Sequence, residues 1–98
     1  MQNKRFDNKV AVITGAAQGI GRRVAERMAS EGGRLVLVDR SELVHELKDE
    51  LGGQTEVLTL TADLEQFDDC HRVMAEAKAH FGRIDILINN VGGTIWTK

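Results

Sequence analysis

At 98 residues, the chain has room for one small domain and a correspondingly small core. Its formal charge of -2, with no basic cluster, gives no electrostatic case for nucleic acid or an anionic membrane surface as a partner. No apolar run approaches the roughly 20 residues of a bilayer span, and the polar segment Met1–Asp7 is no signal-peptide core, so the expected compartment is the cytoplasm.

Strand and helix patterns alternate strictly along the chain. The apolar runs Val10–Thr14, Leu35–Asp39, Glu56–Leu60 and Ile84–Ile88 suit buried parallel strands. After the first run, the spacing predicts a helix from about Ile20 to Ser30, with Ile20, Val24 and Met28 on one face and Gly32-Gly33 as its stop. After the second, a helix over about Ser41 to Leu51 groups Leu43, Val44, Leu47 and Leu51, with Ser41 as N-cap and Gly52-Gly53 at its end. The third helix, about Gln66 to Phe81, places Val73, Ala77 and Phe81 together and closes at Gly82. Every break is a glycine, and proline is absent.

Four parallel strands joined by right-handed helical crossovers predict an α/β fold with strand order 3-2-1-4, the N-terminal part of a doubly wound sheet. In that order the fourth strand is central, yet no further strand pattern follows it to pair with its far edge. The expectation is therefore that residues 1–98 form an incomplete nucleotide-binding domain, either truncated or completed by a partner. No internal repeat or low-complexity linker suggests another division.

Chemistry concentrates at Thr14-Gly15-Ala16-Ala17-Gln18-Gly19-Ile20-Gly21, between the first strand and the first helix. Gly15 can turn the chain out of the strand, Gly19 lets backbone approach a phosphate with no Cβ in the way, and Gly21 permits close packing of helix on strand. The helix beginning near Ile20, just after Gln18, aims free N–H groups and its positive dipole end at a pyrophosphate. Asp39 follows Gly21 by 18 residues at the end of the second strand, where a carboxylate accepts hydrogen bonds from adenosine ribose hydroxyls. It would repel a 2′-phosphate, which favours NAD over NADP. Arg40, with Arg22 and Arg23, is the opposing feature, because guanidinium groups accommodate that phosphate. The bland alternatives are a glycine turn without ligand and a strand-end acid. Strand before, helix after and acid beyond argue against both.

The spacing Thr-Gly-x-x-x-Gly-x-Gly, with Asp63-Leu64 after the third strand and Asn89-Asn90-Val91-Gly92 after the fourth, resembles the short-chain dehydrogenase/reductase family across essentially the whole chain. The resemblance implies that Asp63 contacts the adenine amino group and Leu64 lines the adenine pocket. It also implies that Asn90, Val91 and Gly92 border the adenosine ribose. Val91 stands where the family usually carries alanine. Read without the family, Asp63 is a helix cap and Asn89–Gly93 a loop at the carboxyl end of a strand, where ligands bind in open α/β sheets.

Within the family, Val38–Glu46 and Asn89–Trp96 look like the dehydrogenases of benzoate cis-diols. That likeness implies a small-molecule cis-diol substrate, hydride transfer from a ring carbinol carbon to NAD, and loss of carbon dioxide to give a catechol. Gly93-Thr94-Ile95-Trp96 would then lie near the nicotinamide and substrate mouth, with core packing as the other role for Trp96. Other family substrates, 3-oxoacyl thioesters and sugar or steroid alcohols, stay open, as does a non-catalytic NAD-binding module.

Alcohol oxidation needs a base for the hydroxyl proton, and the family supplies it as a tyrosine assisted by lysine and serine. The sequence has no tyrosine, and the resemblance puts those residues beyond Lys98, so no catalytic residue is assigned. His80 and Asp85 fall at the opposite end of the fourth strand and read as surface or turn residues. The lone Cys70 can form no internal disulfide, and His45, His71 and His80 lack ligand spacing with one another, which argues against a metal centre. A homodimer or homotetramer is what the family implies for a complete protein.

Overall fold

The computed structural model describes residues 6–90. Strand β1 (Val10–Thr14) leads into helix α1 (Gly19–Ser30), and β2 (Arg34–Asp39) is followed by a 3-10 turn, Glu42–His45, continuous with helix α2 (Glu46–Leu51). Strand β3 (Val57–Thr61), helix α3 (Phe67–Phe81) and strand β4 (Ile86–Ile88) complete the order. The four strands form one parallel sheet in the order β3-β2-β1-β4, as the alternation of patterns predicts.

Side-chain alternation divides the apolar residues between two layers. Ala11, Ile13, Leu35 and Leu37 face α1 and α2, meeting Ala25, Met28, Val44 and Leu47. Val10, Val12, Val36 and Val38 face the other way, onto Val73 and Ala77 of α3. With helices on both faces, β1 is buried along its whole length, which explains why it reads as a continuous apolar run rather than an alternating one. The edge strand β3 has one neighbour and is only half-buried beyond Val57.

Three local expectations change. The buried face of α1 is Gly21, Ala25, Met28 and Ala29, so Val24 is only partly buried and Ile20 is 60 % exposed. The close approach of the helix start to the loop before it rotates the small residues inward. Ile20 and Val24 instead border an open apolar groove with Phe6, Met28, Ile86 and Ile88. The stretch after β2 is not one α-helix from Ser41. Ser41 does cap it, its hydroxyl accepting from the Leu43 N–H at 3.1 Å, but the first turn is 3-10 and leaves Leu43 exposed while Val44, Leu47 and Leu51 are buried. Finally, β4 begins at Ile86 rather than Ile84. The Asp85 carboxylate takes the Val10 N–H at 2.9 Å and the Asp85 N–H donates to the Val10 carbonyl, so the regular ladder starts one residue later, at Ala11 opposite Ile86.

Candidate functional site

All four strands run parallel, so their carboxyl ends lie along one rim, and every predicted site residue within 6–90 sits at a strand end on that rim, on the connection leaving it or in the first turn of α1. Gly15 leaves β1 at φ 63°, and a Cβ there would stand 2.5 Å from the Asn90 carbonyl oxygen. The residue must be glycine for two reasons: its backbone conformation and the contact with the end of β4. Gly19 is also left-handed, at φ 66°, but a Cβ there would meet nothing within 4 Å. Neighbours do not crowd Gly19, so the space beside it is open to a ligand. Gly21 serves close approach within the loop: its Cβ would fall 2.1 Å from the Gly15 carbonyl oxygen, so helix α1 can start tight against the turn that precedes it. The expectation placed that approach against the strand. Gln18 is the exposed N-cap of α1 and makes no side-chain capping bond, so the helix-start N–H groups stay unclaimed by its side chain.

Asp39 closes β2, and both its carboxylate oxygens are engaged with backbone. Oδ2 accepts from the Ala17 N–H at 3.0 Å and Oδ1 from the Ser41 N–H at 2.9 Å. The acid therefore joins the glycine loop to the turn after β2 as well as standing at the rim, a role the sequence did not reveal. Each oxygen keeps a further lone pair for a hydroxyl donor. Of the arginines weighed against it, Arg22 is paired with Glu50 of α2 and with Glu26, and its guanidinium also reaches the Ala17 carbonyl. Arg40 and Arg23 are exposed.

Thr14 is the joint that spacing alone does not disclose. Its buried hydroxyl donates to Asn89 Oδ1 at 2.8 Å and accepts from the Asn90 N–H at 2.8 Å, fastening the end of β4 to the start of the glycine loop. The hint in the sequence is the threonine heading the glycine motif, a small hydroxyl where the neighbouring strand positions are apolar.

Asp63 does not cap α3, whose N-cap is Gln66. Its Oδ1 accepts from the Glu65 N–H at 3.1 Å in a local turn, and Oδ2 has no hydrogen-bond partner among the described residues. Leu64 is partly buried against the core layer under α3. Asp63 and Asp39 are brought to adjacent strand ends, the Ala62 N–H donating to the Asp39 carbonyl at 3.0 Å. Val91, Gly92 and the stretch 93–96, including Trp96, lie outside the described residues. At the other end of the sheet, Asp85 is exposed and is held below the usual carboxylate range, first by the Arg83 guanidinium and then by the Val10 N–H, so beyond the expected surface or turn position it also joins β4 to β1. Cys70 is partly buried on α3, and His45, His71 and His80 are exposed.

No helix among the described residues is long and apolar enough to cross a membrane. Over 96 residues the chain is 81% identical to 1,6-dihydroxycyclohexa-2,4-diene-1-carboxylate dehydrogenase of Pseudomonas putida, covering 98% of this chain and 36% of that protein. It is 49% identical to the protein of the same name from Acinetobacter baylyi, over 97% of this chain and 37% of the other. The chain thus spans about a third of the length of these curated relatives. A crystal structure of a short chain dehydrogenase/reductase from Burkholderia phymatum in complex with NAD superimposes with a TM-score of 0.81 at 38% identity, covering 84% of this chain and 30% of that one. The profile of the short chain dehydrogenase family matches residues 9–98, and with the glycine loop, the rim acids and the strand order all in the places described, the chain belongs to that family.

Proposed function

We propose that residues 1–98 are the NAD-binding part of a dehydrogenase that oxidises a cis-dihydrodiol carboxylate to a catechol with loss of carbon dioxide. The observation that carries the substrate class is the likeness, over nearly the whole chain, to the two diene-carboxylate dehydrogenases. The rim supports the cofactor class, because the open space at Gly19, the Asp39 carboxylate and Asp63 Oδ2, unpartnered among the described residues, offer the shapes and acceptors an adenine dinucleotide needs.

In this reading Gly15, Gln18, Gly19, Ile20 and Gly21 present backbone to the pyrophosphate, and the first turn of α1 orients it. Asp39 accepts from the adenosine ribose and disfavours a 2′-phosphate. Asp63 accepts from the adenine amino group, Leu64 supplies an apolar wall, and Asn90, Val91 and Gly92 border the ribose. NAD, when bound, supplies the hydride acceptor. The carbinol oxidation leaves a β-keto acid whose decarboxylation restores aromaticity, and the proton given up by the hydroxyl balances the one taken up as carbon dioxide leaves. The complete protein is read as a cytoplasmic homo-oligomer acting on this small molecule.

The test is turnover by the full-length protein with NAD and 1,6-dihydroxycyclohexa-2,4-diene-1-carboxylate. Stoichiometric NADH, catechol and carbon dioxide are expected. A full-length protein that reduces NAD only with an unrelated alcohol overturns the substrate class and leaves the family intact.

A further inference from the structure

Three side chains in the first two turns of α3 reach back to the backbone at the end of β3 and of the connection after it that carries Asp63 and Leu64. Asp69 Oδ2 accepts from the Asp63 N–H at 2.7 Å. Cys70 Sγ donates to the Leu64 carbonyl at 3.2 Å, and Arg72 Nη2 donates to the Thr61 carbonyl at 2.9 Å. Arg72 Nη2 also lies 3.9 Å from Asp69 Oδ1 while its Nη1 pairs with Glu76 at 2.9 Å, so the arginine that donates to the Thr61 carbonyl stands beside the acid that accepts from the Asp63 N–H.

Asp69 is the third residue of the helix, the position from which an acidic side chain ordinarily returns to the N-cap N–H. Here it passes over Gln66, which makes no side-chain cap of its own, and bonds a residue three positions further back. The helix start is thus spent on fixing the connection and not on capping itself. With its N–H held by Asp69 and its Oδ1 held by the Glu65 N–H, Asp63 is left with one fixed direction for Oδ2, which has no partner among the described residues.

We infer that Asp69, with Arg72 beside it, is a positioning residue for the adenine end of the cofactor site, setting the direction of Asp63 Oδ2. This rests on the reading of Asp63 and Leu64 as adenine contacts. Removing a charged acceptor from a backbone N–H is worth about tenfold in an affinity that depends on it.

The experiment measures equilibrium binding of NADH, and of reduced nicotinamide mononucleotide, which lacks the adenylate, to full-length wild type, Asp69→Ala, Asp69→Asn, Arg72→Gln and Asp63→Ala. Asp69→Ala is expected to weaken NADH about tenfold, with the mononucleotide unchanged and with Asp69→Asn, which keeps an acceptor oxygen, recovering most of the loss. Arg72→Gln is expected to weaken NADH in the same selective way, and it decides the matter if Asp69→Ala does not fold. Wild-type NADH affinity in the Asp69 and Arg72 variants, with Asp63→Ala weakened, overturns the positioning role alone. Wild-type affinity in Asp63→Ala as well shows that the adenine reading has failed and takes the positioning role with it. Equal losses for NADH and the mononucleotide also overturn it, because they report general loosening of the fold.

Discussion

The glycines after β1 have different surroundings, and those surroundings predict what substitution does. At Gly21 a Cβ would collide with the Gly15 carbonyl, whereas at Gly19 it would enter open space at a left-handed φ. Gly21→Ala is therefore expected to lower stability by about 2 kcal/mol or more through overpacking, read as a shift in the denaturant midpoint. Gly19→Ala should cost only about 1–2 kcal/mol of stability but displace the dinucleotide disproportionately, read as NADH affinity in the folded protein. Comparable NADH affinity in Gly19→Ala and wild type would refute the open space as the phosphate site. Asp39 carries two duties at once. Asp39→Ala removes the acceptor for the Ala17 and Ser41 N–H groups, so it is expected to cost about 2 kcal/mol of stability as well as the preference for NADH over NADPH. An undiminished NADH preference in that variant would sink the ribose role while leaving the loop-holding role to the stability measurement.

Element by element, the sheet is held at its two ends by different devices. At the carboxyl end, the Thr14 hydroxyl ties β1 to the end of β4, and the Asp39 carboxylate ties the loop after β1 to the turn after β2. At the amino end, Asp85 joins β4 to β1 through the Val10 N–H and is itself paired with Arg83. Since folding lowers the Asp85 pKa, the carboxylate stabilises the fold above its ordinary value of 3.8 and that contribution is lost as pH falls through the lower folded value. Wild type and Asp85→Asn are thus expected to differ in stability at neutral pH and to converge in acid, below both values. Parallel acid-unfolding curves with a constant gap would contradict the assignment.

For the molecule as a whole, the described residues bring together acceptors and backbone for a dinucleotide, and the sequence holds no tyrosine to take a hydroxyl proton. The 98-residue chain on its own is expected to bind NADH weakly or not at all and to form no NADH from the cis-diol carboxylate, while the full-length protein does. NADH production by the pure 98-residue chain would overturn the division of labour proposed for it. The same chain leaves Leu87 56 % exposed on β4 and an apolar groove between α1 and that strand, so self-association on concentration is expected, visible in light scattering.

Element order, the parallel sheet and its strand order were legible in the chain's pattern, since continuous apolar runs alternating with glycine-stopped helices admit few topologies. It also made the candidate site legible, because a glycine loop after one strand and acids at or just after the ends of the next two are features of spacing. Tertiary structure alone decided how those residues are held. That Asp39 grips the Ala17 N–H, that Thr14 bridges to Asn89 and Asn90, and that Asp69 reaches past its own helix cap are contacts between segments up to 76 positions apart, or between a side chain and backbone whose direction no periodicity encodes. The exposure of Ile20 has the same origin: helical spacing fixes which residues share a face, but the collision avoided at Gly21 fixes which face turns inward.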